Sequence, residues 1–374
     1  MAKQRGHGEG SIYQRSDGRW AASISLGGRK RKTLYGKTRR EVQEKLRVAL
    51  NEQKQGMLVT GPQQTLKQYL EHWLEDVHKP AIRVSSYVKY RSQLDNHILP
   101  ALGNVQLQRL TPQQVQAFYS KELKGGLSPA SVRNIHQILR KALDNAVRWN
   151  LVPRNVCDVV SPPGIVKHEI QLLTKEQAQQ LLRTARGHRL EALFTVALAT
   201  GMRRGELLGL RWQDISFEDR SLHVRRTVDR IGKNGIVVSN PKTSKSRRKI
   251  MLPNFVIDVL KQHRSHQLEA RLRAGTTWQE NNLVFSNTLG GFLDAGYLHS
   301  LFQKLLKDAG LPHMRFHDLR HSAATILLTM GAHPKLVQEL LGHSQISMTM
   351  DTYSHALPSM QRDMMDGLDG FFGG

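Results

Sequence analysis

Apolar and polar positions set the first outline of this chain. Residues 11 to 35 read as three short strands, SIYQR, RWAASISL and RKRKTLY, separated by turn residues at Ser16-Asp17-Gly18 and Gly27-Gly28. The period then lengthens to that of a helix. Thr38-Arg39-Arg40-Glu41 has the form of a capping box, and Val42, Leu46, Ala49 and Leu50 fall on one face behind it. From Thr65 to about Val160 the spacing is helical throughout, with Leu66, Tyr69, Leu70, Trp73 and Leu74 in one stripe and Tyr87, Tyr90, Leu94 and Ile98 in another. Thr111-Pro112 and Ser128-Pro129 each set a capping residue before a proline at the first helical position. Breaks fall at Gln55-Gly56, Thr60-Gly61-Pro62 and Ser161-Pro162-Pro163-Gly164. A further capping box, Thr174-Lys175-Glu176-Gln177, opens a region that alternates helices with a strand-rich block at about Asp214 to Leu252 and then returns to helices. The pattern predicts a multidomain, mainly α chain with small β-sheets. Its expected parts are a three-stranded sheet plus helix in residues 1–59, a helical bundle in 63–160 and an α+β domain in 170–374.

Length agrees with that division, since 374 residues exceed what one core usually organises. Charge adds a partner. With 55 Lys and Arg against 31 Asp and Glu, the formal charge is +24, spread along the chain, and such self-repulsion is relieved by a polyanion. Nucleic acid is the leading polyanion, with a basic secreted or ribosome-associated protein as the competing class. Arg29, Lys30, Arg31 and Lys32 run in succession along the third strand, with Arg19 at the start of the second. A ribbon of this kind can enter a major groove, or can be a solvated edge kept soluble by charge. Lys89, Arg91, Arg133 and Arg140 lie on polar faces of the helical region, as phosphate contacts or as wetted surface. The opening residues MAKQRGHGEGS lack the apolar run of a secretory signal, and no stretch reaches the length of a membrane span. A single cysteine, Cys157, allows no intrachain disulfide and no cysteine-based zinc site. The expected setting is the bacterial cytoplasm or nucleoid, with no membrane partner.

Four segments of the last region carry chemistry suited to a phosphate. In ATGMRRGEL a glycine turn delivers Arg203 at a helix start, and Glu206 three residues on can brace its guanidinium for bidentate grip of an anion. In NPKTSKSRRKI, Lys242 sits on a basic turn between strands, able to donate a proton or to rest in water. RFHDLRHSAATILLTMG, read as a helix, clusters His317, Arg320, His321 and Ala324 on one face, with Leu319, Ala323, Ile326, Leu327 and Met330 as the neighbouring apolar stripe. His317 and His321 have the i, i+4 spacing of a zinc helix. Asp318 stands where the metalloprotease pattern has Glu, however, and Arg320 would repel a cation between them. Finally, Pro334 starts a helix that Gly342 ends beside His343, ten residues before Tyr353.

The set TGMRRGEL, PKTSKSRRKI, HDLRHS, LGHS and DTYSHA, in this order, resembles the tyrosine recombinase (phage integrase) family. The helical middle region is similar to the family's SAM-like core-binding domain. GSIYQRSDGRW with YGKTRREVQEKL is similar to the arm-binding domain of integrases from temperate phages and conjugative transposons. The resemblance makes Arg203 and Arg320 the catalytic arginines, Lys242 the hairpin lysine, His317 and His343 the histidines, and Tyr353 the nucleophile. Only the family register chooses Arg203 over Arg204. His321, His355 and Lys245 fall outside the usual set.

Physically, a phenol with a pKa near 10 needs a base or a cationic field to react at neutral pH, and Arg203, Arg320, His317 and His343 would supply that field. Lys242 would protonate the leaving oxygen. The resemblance further implies a 3′-phosphotyrosyl intermediate, a Holliday junction and a homotetramer on double-stranded DNA with core-type and arm-type sites. It implies no metal and no ATP, and adds an excisionase and a DNA-bending host factor as partners. The apolar tail around Leu368, Phe371 and Phe372 would either pack on a neighbouring subunit, as the family's C-terminal segments do, or be a frayed end. Two other readings share part of the pattern: a type IB topoisomerase-like enzyme that cuts and reseals one strand, and a non-catalytic DNA-binding regulator.

Overall fold

The structure is a computed structural model that describes residues 10–25, 31–54, 63–165, 171–230, 235–240, 246–342 and 365. Arg29, Lys30, Lys242, His343 and Tyr353 lie outside the described residues, as do His355, Lys245 and the tail around Phe371. The chain falls into two compact units, residues 1–167 and 168–374.

In the first unit, β1 (Ser11–Gln14), β2 (Trp20–Ser25) and β3 (Arg31–Gly36) form an antiparallel sheet in chain order. Their register aligns Ile12, Ala22 and Leu34 in one row and Ile24 with Lys32 in the next. Period-two alternation puts these residues on the face covered by α1 (Arg39–Lys54), where Val42, Leu46 and Ala49 complete a small core. The opposite face carries Tyr13 and Tyr35, about half exposed, with the Arg15 guanidinium 5.3 Å from the Tyr35 ring centre. The same alternation divides the basic run of β3. Arg31 belongs to the open face, whereas Lys32 sits at the rim of the helix-covered side among Glu41, Glu44 and Lys45.

The same unit holds a separate helical core. α2 (Leu66–His72) continues into a π-helical stretch, Trp73–His78, and α3 (Val84–Gln93) into another, Leu94–Ile98, followed by α4 (Leu99–Leu102). α5 (Pro112–Lys124) and α6 (Pro129–Arg148) start at the expected caps, with Thr111 accepting from the Gln114 N–H and Ser128 from the Ser131 N–H. Every member of the first predicted stripe is fully buried; in the second, Leu94 and Ile98 are buried and the two tyrosines partly so. The Tyr69 hydroxyl ties α2 to α6 by donating to the Ala142 carbonyl at 2.5 Å.

The second unit begins with α7 (Lys175–Thr184), α8 (Glu191–Thr200) and α9 (Arg204–Leu208). β4 (Ile215–Ser216), β5 (Ser221–Val224) and β8 (Arg248–Met251) make an antiparallel sheet, with the hairpin β6 (Thr227–Arg230) and β7 (Ile236–Ser239) set apart from it. α10 (Asn254–Ala274), α11 (Ala295–Asp308), α12 (Asp318–Thr329) and α13 (Pro334–Leu341) follow. α8 is apolar around most of its circumference, the mark of a helix with neighbours on several sides, and both α10 and α12 pack on it.

Tyr69→Phe should lower stability by about 1 kcal/mol, the net value of one buried hydrogen bond, whereas Trp73→Ala should cost about 3–5 kcal/mol through cavity formation. Urea denaturation followed by circular dichroism checks both, and equal costs would contradict this account of the bundle.

Candidate active site

The last carbonyls of a helix have no partner inside it. At the end of α13 three successive carbonyls, the third that of the capping Gly342, are each met by an arginine from a different segment. Arg248 Nε donates to the Leu340 carbonyl at 2.5 Å, Arg320 Nη2 to Leu341 at 2.7 Å, and Arg203 Nη2 to Gly342 at 3.3 Å. Gly342 adopts the left-handed conformation that ends the helix, at φ 68°. His343 is the next residue in sequence.

Arg203 arrives there because α8 also ends on a left-handed glycine, Gly201 (φ 59°). A Cβ at that position would stand 2.4 Å from the Leu341 side chain, so both conformation and space require glycine. The Gly201 carbonyl accepts from Arg320 Nη1 at 2.7 Å. Arg203 then caps α9. Its backbone N–H donates to Glu206 Oε2 at 3.0 Å and its Nη1 to Oε1 at 2.9 Å, as the three-residue spacing predicts. Arg204 is exposed at the first position of α9. The fold therefore separates two residues that sequence physics left equivalent: only Arg203 has these contacts.

Glu206 is 3% exposed and accepts a second guanidinium, Arg248 Nη2 at 3.0 Å. Burial alone would raise its carboxyl pKa, but the charges of Arg248 and then Arg203 outweigh it and hold the group below the usual carboxylate range. Arg248 had no assigned role in the sequence reading, where NPKTSKSRRKI stood as a basic turn between strands. A usable signal was alternation: Arg248 shares a face with Ile250, opposite Val224 and Leu222, all buried. A basic residue on a core-facing row needs a buried partner.

At the third segment, His317 precedes the first turn of α12 rather than lying within it. Its ring meets that of His321 edge to face, with centroids 5.2 Å apart. The His317 ring retains access to solvent, yet partial burial, followed by the neighbouring His321 and Arg320, holds its pKa down to about 4. In the DNA-free protein these neighbours disfavour its charged form. Asp318, 3% exposed, is clamped by Arg315 through Nη2 at 2.9 Å and Nε at 3.2 Å. Ser322 Oγ donates to the Asp318 carbonyl and accepts from the Leu173 N–H, both at 2.9 Å. The predicted apolar stripe also shifts: Met330 is 70% exposed, and the buried positions are Leu319, Ala323, Ala324 and Leu328. α13 approaches from the Ala324 side, where Val337 and Leu341 pack, so the core lies about one position around the helix from the expected stripe.

Arg203, His317 and Arg320 are thus gathered, while Lys242, His343 and Tyr353 lie outside the described residues. Around the strands that flank Lys242 in sequence, a cleft of ≈ 840 Å³ is lined by His223, Arg225, Arg226, Arg247, Arg248 and Lys249 among others. Of the proposed DNA contacts in the first unit, Lys89 and Arg133 are exposed. Arg19 lies 3.5 Å from Asp17, Arg91 bonds Asp95 at 2.9 Å, and Arg140 bonds Asp158 at 2.8 Å. Among the described residues, no three His, Cys, Asp or Glu gather as metal ligands, and no helix is long and apolar enough to cross a membrane.

Glu206 and His317 both have folded pKa values below their ordinary 4.5 and 6.5. For each, the unfolded chain takes up the proton first as pH falls, so its contribution to stability is complete above the ordinary value and is lost downward through the folded one. The DNA-free protein should lose stability between pH 6.5 and about 4, and less steeply in His317→Gln. Thermal unfolding across that range checks this, and an identical slope in the variant would contradict it.

The chain is similar to known proteins in sequence and fold. The family model described as "Phage integrase family" matches residues 171–360, and "Phage integrase, N-terminal SAM-like domain" matches 65–142. The chain is 33% identical over 360 residues to a tyrosine recombinase XerC-like protein of Caldanaerobacter subterraneus subsp. tengcongensis, covering 91% of this chain and 92% of the relative. It is 31% identical over 392 residues to an integrase of Streptomyces ambofaciens, covering 100% and 98%. In fold it is similar to the Tn1549 transposon integrase in complex with transposon right end DNA (TM-score 0.70, 22% identity, 82% of this chain and 99% of the other). It is also similar to a lambda integrase tetramer bound to a Holliday junction (TM-score 0.57, 19% identity, 93% and 96%). The order of the arginine, lysine, histidine and tyrosine motifs, the fold and both family models agree: the chain belongs to the phage integrase family of tyrosine recombinases, the enzymes of site-specific DNA strand exchange.

Proposed function

We propose that Arg203, Lys242, His317, Arg320, His343 and Tyr353 form the centre with which this tyrosine recombinase cuts and rejoins DNA through a 3′-phosphotyrosyl intermediate and a Holliday junction, integrating or excising a mobile element. The observation that carries the assignment is the convergence of Arg203 and Arg320 on the end of α13, one residue before His343. A phosphodiester anion repels nucleophiles, and charge gathers on its non-bridging oxygens as a fifth bond forms. Two guanidiniums held by neighbouring backbone carbonyls are preorganised to meet that charge, so little reorganisation is needed during reaction.

The proposed step is a transesterification. The Tyr353 oxygen attacks phosphorus, the bond to the 5′ oxygen breaks, and Lys242 delivers a proton to that oxygen. The phenolic proton goes to the imidazole of His317, whose charged form the bound phosphodiester anion would favour. Rejoining reverses each transfer with a 5′-hydroxyl from the partner duplex. The ester conserves the bond energy, so neither ATP nor a metal enters the scheme.

The domain limits 1–59, 63–160 and 170–374 belong to the same proposal, as arm-type DNA-binding, core-binding and catalytic parts. The open sheet face with Tyr13, Tyr35 and Arg31 supports the first role. Linked modules would bridge arm-type and core-type sites by raising effective concentration. The lambda integrase, seen as a dimer on a core site and as a tetramer on a Holliday junction, supports a homotetramer here. An excisionase, a DNA-bending host factor and a bacterial cytoplasmic setting complete the proposal.

On a nicked suicide duplex bearing the attachment site, the wild-type chain should become covalently trapped. Tyr353→Phe should form no adduct while binding the duplex within about twofold of wild type, since the phenolic oxygen contributes to bond formation rather than to ground-state affinity. An adduct formed by Tyr353→Phe would overturn the choice of nucleophile. Absence of any wild-type adduct would favour a non-catalytic DNA-binding protein.

A further inference from the structure

We propose that Arg248 is a positioning residue that sets Arg203, the His343-bearing end of α13 and the strand leaving the Lys242 segment in one fixed arrangement. The inference rests on the active-centre reading above and names a residue outside the six assigned there.

Arg248 is the first residue of β8, six positions after Lys242, and its guanidinium reaches three separate segments. Nη1 donates to the Ser246 carbonyl at 3.1 Å, next to the Lys242 stretch. Nη2 donates to Glu206 Oε2 at 3.0 Å, the carboxylate that also orients Arg203. Nε donates to the Leu340 carbonyl, two residues before Gly342. With a side chain only 7% exposed against 3% for Glu206, and its guanidinium nitrogens donating to protein acceptors, Arg248 acts through other groups.

Charge gives this link a second effect. Glu206 and Arg203 alone would form a neutral pair, and a neutral pair is a poor partner for a phosphodiester. Arg248 makes the trio net positive and supplies part of the counter-charge for the buried carboxylate. Arg203 therefore keeps field at its accessible side. A planar five-donor fork is required to hold a carboxylate and two carbonyls at once, and lysine cannot reproduce it.

The test is single-turnover adduct formation on the nicked duplex by full-length Arg248→Met, Arg248→Lys, Glu206→Gln, Arg203→Ala and the Arg248→Met/Glu206→Gln double variant. Misplacement of a reacting group by about 1 Å can cost on the order of 100-fold. Arg248→Met should therefore slow adduct formation by about 10- to 100-fold, with duplex affinity within about twofold. Its acid limb should move to higher pH, because Glu206 loses its strongest counter-charge. In the Glu206→Gln background the same change should cost less than about threefold, since both act on Arg203 by one route. Arg248→Lys keeps the charge and should leave the acid limb in place while still losing at least about fivefold in rate. It carries the test if Arg248→Met does not fold. A folded Arg248→Met or Arg248→Lys at the wild-type rate, or full multiplication of costs in the double variant, would overturn the positioning role. Wild-type rates in Arg203→Ala would instead overturn the active-centre reading itself.

Discussion

The end of α13 is the constraint on which the catalytic unit depends. A helix of eight residues stops there, and its last two carbonyl groups, at Leu340 and Leu341, with that of the capping Gly342, gather negative charge at one point. Arg248, Arg320 and Arg203 come to that point from β8, α12 and the α8–α9 turn. Each bond satisfies a helix terminus and, in the same contact, fixes a cation. The two left-handed glycines make the approach possible: Gly342 turns the chain out of α13, and Gly201 leaves room for Leu341. Three segments far apart in sequence are thus registered by backbone groups, which are harder to displace than side chains.

This geometry also changes the electrostatic picture of the site. Partial burial, then His321 and Arg320, push the His317 pKa down, so the charge of the DNA-free site comes chiefly from its arginines. A bound phosphodiester anion would favour its charged form, so His317 can exchange a proton where a fixed cation could not. The arginines supply charge that does not vary with pH, and Glu206, held ionised by two of them, keeps Arg203 aimed. Permanent charge and proton transfer are therefore assigned to different residues.

Much of this was legible in the sequence, and the reasons are specific. The bundle stripe from Leu66 to Leu74, the Thr111, Ser128 and Thr174 caps, and the bracing of Arg203 by Glu206 follow from local spacing, which strand and helix periods transmit directly. What escaped depended on partners distant in sequence. Nothing local shows that Arg248 meets Leu340, 92 residues away. The core-facing side of α12 is set by where α13 packs, so the wheel chose Met330 where the fold chose Leu328. The basic run in β3 read as one patch, but strand alternation divides it between two faces.

The central claim is that Arg203 and Arg320 act by neutralising the reacting phosphate. The most direct measurement replaces the scissile phosphate with a neutral methylphosphonate and compares cleavage by wild type, Arg203→Ala and Arg320→Ala. If charge neutralisation is their role, the deficit of each variant on the normal linkage should shrink by about 10-fold or more on the neutral one, in line with the cost of one lost transition-state donor. Deficits of equal size on both linkages would contradict the account and leave these arginines as structural ties to α13.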